Sequence, residues 1–259
     1  MGFLTDLVAE VRRDLDRRPL DDGALLARAM AMPPPRDFLG ALRSHTLAVI
    51  AEVKRASPSA GTIADADPAA VARAYAGAGA AAISVLTEAR HFDGSLADLR
   101  AARGAVDVPV LRKDFLVHPS QLIEARAAGA DAVLLITAAV TPAELAAFLA
   151  TAADLGLGVL LEVHSDADLE IALATDAQVI GVNARDLETL DVDPAQAWAR
   201  LRRVPGDRVR VMESGIATRA DVSAAVEAGA SAILVGETLM RAADPRAKLR
   251  ELLGEENPT

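Results

Sequence analysis

The chain has 259 residues, 52% of them hydrophobic and 25% charged, which suits one large core or two small ones and excludes a disordered chain. Its formal net charge of -10 argues against nucleic acid as a partner and means that any anionic ligand needs locally concentrated positive groups. Cysteine is absent, so disulfides and thiolate metal sites are excluded. The N-terminus, Met1-Gly2-Phe3-Leu4-Thr5-Asp6, lacks a basic stretch followed by an apolar one, and no run reaches membrane-spanning length. A cytoplasmic protein with no membrane partner is the expectation.

In chain order, Phe3, Leu4, Leu7, Val8, Val11 and Leu15 recur at helical spacing with charged residues between them. Pro33-Pro34-Pro35 then stops any helix. Residues 1–45 therefore read as a helical N-terminal extension packed on the main body.

From there, short apolar runs at 47–53, 82–86, 108–111, 132–136, 158–163, 178–182, 208–212 and 232–235 alternate with Ala-rich helical stretches. Such alternation predicts a parallel sheet. Ala78-Gly79-Ala80, Ala128-Gly129-Ala130 and Ala228-Gly229-Ala230 repeat one pattern: a helix end, a glycine suited to a left-handed turn, then a buried strand. Gly79, Gly129 and Gly229 are spaced by 50 and 100 residues, the period of paired βα units. Eight such units over 46–254 predict an α/β fold, a single (β/α)8 TIM barrel forming one domain over 1–259. A doubly wound open sheet is the alternative, but the turn after its first strand is usually glycine-rich, and here it reads Glu52-Val53-Lys54-Arg55. The last helical pattern ends shortly before Thr259, so no fused second enzyme is expected.

Active sites of such barrels form at the C-terminal strand ends, and those ends are unusually polar. The first carries Glu52 and Lys54, followed by Ser57-Pro58-Ser59. The third runs into Arg112-Lys113-Asp114-Phe115, the fifth into Glu162, and the sixth into Asn183-Ala184-Arg185. The seventh ends Glu213-Ser214-Gly215 and the eighth Gly236-Glu237. Glu52 and Lys54 are two apart and share a face. If that face is the lumen, carboxylate and ammonium converge, as a structural ion pair or as part of a larger site. Three glutamates and two lysines at strand ends favour the site, because burying charge is costly. Ser214, Gly215 and Gly236, with a helix starting near Thr238, fit the phosphate cradle of this fold. Glu237 is an awkward neighbour for phosphate, so its side chain should point away.

The histidines carry little signal. His45 approaches the first strand, His91 and His118 read as loop residues, and His164 follows the fifth strand. Without HxH or HExxH spacing, no metal site is expected. Trp198 reads as packing, and the 200–203 arginine cluster as a solvated helix face.

These strand-end segments resemble indole-3-glycerol phosphate synthase. The resemblance rests on Glu52-Val53-Lys54-Arg55-Ala56-Ser57-Pro58-Ser59-Ala60-Gly61, Leu111-Arg112-Lys113-Asp114-Phe115, Leu161-Glu162-Val163, Gly181-Val182-Asn183-Ala184-Arg185-Asp186-Leu187, Glu213-Ser214-Gly215 and Val235-Gly236. It covers nearly the whole chain, extension included. It implies a carboxy-lyase of tryptophan biosynthesis that needs no cofactor or metal. The implied substrate is 1-(2-carboxyphenylamino)-1-deoxyribulose 5-phosphate, converted to indole-3-glycerol phosphate, carbon dioxide and water. Lys113 would be the general acid of ring closure and Glu162 a general base. Lys54 would contact the substrate carboxylate, with dehydration falling to Lys54 or Glu162. Glu52, Asn183 and Glu213 would orient the lysines and ribulose hydroxyls. Ser57, Ser214, Gly215 and Gly236 would hold the phosphate with Arg185 nearby, and Pro58, Phe92, Phe115, Leu134 and Leu187 would line the anthranilate pocket. Glu237 departs from relatives with a small hydroxyl residue there.

Two rivals remain. A phosphosugar isomerase on the same barrel would need an Asp- or Cys-based acid–base pair, and a non-catalytic phosphate-binding barrel would have no use for both Lys113 and Glu162. Monomer and homodimer are both compatible with the sequence.

Overall fold

A computed structural model describes residues 2–59, 61–64 and 66–255. Met1, Ala60 in the first strand-end motif and the chain end at Thr259 lie outside the described residues.

Three helices come first: α1 (Phe3–Arg17), α2 (Asp22–Ala31) and α3 (Phe38–Arg43). Asp21 and Asp37 cap the second and third, accepting hydrogen bonds from the Ala24 and Gly40 amides at 3.0 and 2.8 Å. Such caps satisfy first-turn N–H groups that have no partner inside the helix. The proline run separates α2 from α3.

Eight parallel strands follow: β1 (Ala48–Val53), β2 (Ala82–Leu86), β3 (Val110–Lys113), β4 (Ala132–Ile136), β5 (Gly158–Val163), β6 (Val179–Asn183), β7 (Val209–Glu213) and β8 (Ala232–Val235). They close in chain order into a barrel, with Ala48 to Ala51 of β1 in register with Ala232 to Val235 of β8. A TIM barrel is thus the observed fold. Gly79, Gly129 and Gly229 have φ of 96°, 93° and 100°, left-handed values that explain the repeated glycine between helix and strand.

The period-two alternation of each strand divides the core in two. Val49, Ala51, Val53, Ile83, Val85, Val133, Leu135 and Leu161 pack outward against the helices. Ala48, Ile50, Leu111, Leu134, Leu160 and Val211 point into the lumen. Glu52 and Lys54 share the parity of Ala48 and Ile50, so the lumen is their face. The barrel floor is closed by α3, whose Phe38 is 2% exposed. A Cβ at Gly158 would come within 2.8 Å of the Phe38 Cβ, which is why β5 opens with glycine.

A second anchor of the floor is Asp131, 1% exposed. Its carboxylate accepts the Arg36 and Val110 amides, both at 2.8 Å, and pairs with Arg103 Nε at 2.9 Å. One side chain thereby ties the segment before α3 to the start of β3.

Three sequence expectations need correction. The third strand runs 110–113 rather than 108–111, because Pro109 has no N–H for the ladder and Lys113 pairs in register with Leu86. His91 sits in the helical turn Ala89–Phe92, and His118 caps the helix Pro119–Ala127 by accepting the Ser120 amide at 3.2 Å. The arginine cluster is not simply solvated: Arg200 and Arg203 reach Asp166 at 3.2 and 2.9 Å, and Arg203 also pairs with Glu170. Those contacts bridge the helices Asp166–Leu173 and Pro194–Leu201.

Candidate active site

The C-terminal mouth holds a cavity of about 420 Å³. All seventeen residues singled out from the sequence line it: Glu52, Lys54, Ser57, Pro58, Phe92, Lys113, Phe115, Leu134, Glu162, Asn183, Arg185, Leu187, Glu213, Ser214, Gly215, Gly236 and Glu237.

At its base the lumen-facing ends of β3, β5, β6 and β7 converge. Lys113 Nζ lies 2.9 Å from Glu162 Oε2 and 3.6 Å from Glu213 Oε2. Asn183 Nδ2 donates to Glu162 Oε1 at 3.0 Å. Glu162 and Glu213 are each 1% exposed. On β1, Lys54 Nζ pairs with Glu52 Oε1 at 3.1 Å, and Ser84 Oγ approaches Glu52 Oε2 at 3.4 Å. Glu52 can lie this close to β8 because Gly236 has no side chain; a Cβ there would sit 2.5 Å from Glu52 Oε1.

Three environments follow. Burial works against a charged Lys113, but the attraction of Glu162, Glu213 and Glu52 outweighs it and holds the ammonium protonated well above its usual range. Burial also works against a charged Glu162, yet Lys113 and the Asn183 hydrogen bond keep its carboxyl below the usual range. For Glu213, burial and the neighbouring Glu162 charge prevail over the pull of Lys113, and its carboxyl is held well above the usual range.

One wall is apolar. Phe92 and Phe115 stand with ring centroids 6.1 Å apart and planes tilted by 35°, and Leu134 and Leu187 continue the surface. The other wall is made of turns. Ser214 and Gly215 are both left-handed, with φ of 64° and 73°, a reversal that is costly for a non-glycine residue. The turn Glu237–Met240 follows Gly236. The Glu237 carboxylate is directed along this turn to Arg241 Nε at 2.9 Å. Arg185 is tied to its own loop, its amide donating to Asn183 Oδ1 and its guanidinium to the Leu190 carbonyl, both at 2.9 Å.

Sequence reading missed several residues that line the cavity or support those that do. Ser84 had a signal, since a polar residue at a lumen parity in a buried strand obeys the rule that picked out Glu52. Arg241 had one as well, four residues beyond Glu237 on a helical turn. Phe3 had none. It reaches the cavity because the start of α1 is stitched to the loop after β6: the Phe3 and Leu4 amides donate to the Glu188 and Leu187 carbonyls at 3.1 and 2.9 Å, and Thr5 Oγ1 donates to Glu188 Oε1 at 2.6 Å. His91 packs edge-on against Phe3 at 5.2 Å.

The chain has counterparts among known proteins. Solved structures share the fold: a 3-hexulose-6-phosphate synthase superposes with a TM-score of 0.62 at 17% identity, covering 81% of this chain and 99% of that one. A tryptophan synthase complex from Pyrococcus furiosus gives 0.59 at 16% identity over 80% and 98%. Sequence relatives are far nearer. An indole-3-glycerol phosphate synthase of Micrococcus luteus is 50% identical, with 96% of both chains covered, and that of a Nocardioides species is 50% identical over 99% of this chain and all of its own. The family model described as indole-3-glycerol phosphate synthase matches residues 4–252, and with these relatives it shows that the chain belongs to the indole-3-glycerol phosphate synthase family.

Proposed function

We propose that the chain converts 1-(2-carboxyphenylamino)-1-deoxyribulose 5-phosphate to indole-3-glycerol phosphate, carbon dioxide and water, the carboxy-lyase step of tryptophan biosynthesis. The observation that carries this reading is the buried Lys113 between Glu162 and Glu213 at the base of a cavity with one aromatic wall.

Phe92, Phe115, Pro58, Leu134 and Leu187 hold the anthranilate ring, an apolar slot of the kind a flat ring requires. Ser57, Ser214, Gly215 and Gly236 hold the phosphate at the opposite wall. Lys54 meets the substrate carboxylate. The ring carbon bearing that carboxylate attacks the ribulose ketone, and Lys113 gives its proton to the ketone oxygen as negative charge develops there. Carbon dioxide leaves and its bonding pair restores the aromatic ring. The new hydroxyl then takes a second proton and departs as water, and the carbon beside nitrogen gives up a proton to complete the indole. Dehydration falls to Lys54 and Glu162 between them. Asn183 fixes the Glu162 carboxylate for this work, and Glu52 holds Lys54. Each step is a proton transfer or a bond shift within the substrate and calls on no cofactor.

The reading holds for a monomer and for a homodimer alike. No helix among the described residues is long and apolar enough to cross a membrane, in keeping with a cytoplasmic role. We treat 1–259 as one functional unit, because Phe3 of the extension shares the cavity with the barrel.

The test is indole fluorescence on mixing the protein with substrate in EDTA, beside Lys113→Ala. A rise with wild type and a rate lower by about 10²–10⁴-fold in the variant is expected from loss of a general acid. A flat wild-type trace with folded protein and verified substrate refutes the reading.

A further inference from the structure

Glu213 stands apart from the other charged groups of the cavity. It is 1% exposed, yet among the described residues neither of its oxygens has a hydrogen-bond donor. Glu162 has two, Lys113 and Asn183, and Glu52 has Lys54 and Ser84. The groups facing Glu213 are Lys113 from β3, Glu162 from β5 and, more remotely, Glu52 from β1; beneath it lies bare Gly181 of β6. Burial beside the charge of Glu162 holds the Glu213 carboxyl well above the usual range. Glu162, with two donors, is the carboxylate of the pair, and Glu213, with none, is the acid.

The proposed reaction requires such a proton. The ketone oxygen departs as water and takes two protons, while the carbon beside nitrogen returns one. A substrate that enters as a carboxylate and loses carbon dioxide therefore consumes one proton per turnover. Lys113, having given its proton to the ketone oxygen, is left as a neutral amine beside Glu162.

Resting on the synthase reading, we propose that Glu213 is the proton reserve of the site: as a neutral carboxylic acid 3.6 Å from Lys113, it returns a proton to the Lys113 amine after ring closure. The O–H bond of Glu213 breaks and an N–H bond forms on Nζ, giving a carboxylate beside an ammonium. An amine is far more basic than a carboxylate, so the transfer runs downhill. Solvent reprotonates Glu213 when product leaves and the mouth is open to water. Glu213 acts through Lys113 and is in this sense a positioning residue for its proton.

The test has two arms. Infrared spectra of the substrate-free wild type, labelled with ¹³C-glutamate, should show a neutral carboxyl stretch at pH 7 that shifts in D₂O and vanishes in Glu213→Gln. Absence of that band from wild type overturns the proposal whether or not the variant folds. In the turnover assay, Glu213→Gln should close one ring per site at near wild-type rate and then turn over about 10²-fold more slowly. The defect should grow with pH, and small carboxylic acids should partly rescue Glu213→Ala, effects that a merely structural role would not produce. Undiminished turnover of Glu213→Gln across the pH range also overturns it. A wild type that leaves substrate unchanged sinks the synthase reading instead, with the infrared result unaffected.

Discussion

Gly181 offers a way to displace Glu213 without altering its chemistry. A Cβ at Gly181 would stand 2.0 Å from Glu213 Oε1 and 3.1 Å from both Glu213 Cδ and Leu160 Cδ1. The nearest atom is the tip of a flexible side chain, so in Gly181→Ala the Glu213 carboxyl swings aside and β6 stays in register. Overpacking of this kind costs about 1–3 kcal/mol, offset by about 0.5–1 kcal/mol for replacing a strand glycine with alanine. For a chain of this size the net is a Tm lowered by at most about 10 °C, which leaves a folded protein. Activity should suffer more, because moving a catalytic group by about 1 Å costs on the order of 10²-fold. Thermal denaturation by circular dichroism and kcat from indole fluorescence measure the two effects. A variant with wild-type kcat would refute the reasoning, for it would mean that the place of the Glu213 carboxyl is immaterial to turnover.

Other outcomes follow from the same geometry. Asp131→Ala strands Arg103 and two buried amides at the barrel floor, which should cost about 3–5 kcal/mol and lower Tm by roughly 6–20 °C with KM unchanged; an unaltered melting curve would show the anchor to be redundant. Arg241 lines the phosphate wall but is held by Glu237, so Arg241→Ala should raise KM by up to about tenfold at constant kcat, and Glu237→Gln should lower KM by freeing the guanidinium. Equal KM values for all three proteins would exclude Arg241 from binding. Stability should fall towards both extremes of pH. The low folded pKa of Glu162 gives stabilisation that is present above the unfolded value of about 4.3 and lost as pH falls through the folded one. Glu213 and Lys113 are held high, so the folded state binds more protons than the unfolded one, from about pH 4.3 upward for Glu213 and above about pH 10.4 for Lys113, and stability declines as pH rises. Tm measured against pH should therefore decline less steeply on the alkaline side in Glu213→Gln, and parallel curves would count against a neutral Glu213.

The barrel was legible because its signals are local and periodic. Eight apolar runs and three glycines at multiples of fifty residues do not depend on knowing what lies across the fold. Parity placed Glu52 and Lys54 on the lumen side for the same reason. Contacts between distant segments left no such trace. Nothing near Phe3 announces that the loop after β6 will draw it into the cavity, and Gly181 matters only through the side chain of a neighbouring strand. The shift of β3 came from weighing hydrophobicity above the missing N–H of Pro109. Chemical state was the least readable property: Glu162 and Glu213 are the same residue type at equivalent strand ends, but donors from other strands hold the carboxyl of Glu162 low while burial and the charge of Glu162 hold that of Glu213 high.

The closing of β1 against β8 also has a bearing on how the protein is made. Ala48 and its neighbours emerge from the ribosome long before Ala232, the residue they pair with. At about 5–20 residues per second, that edge waits roughly 10–40 s for its partner. For that interval a nascent half-barrel presents a row of free backbone groups and an open apolar lumen, the features that invite unwanted association. The α1 helix, made first, finds its seat only once residues 185–193 exist. The site thus assembles late, and the chain is most vulnerable to misassembly before it can do any chemistry.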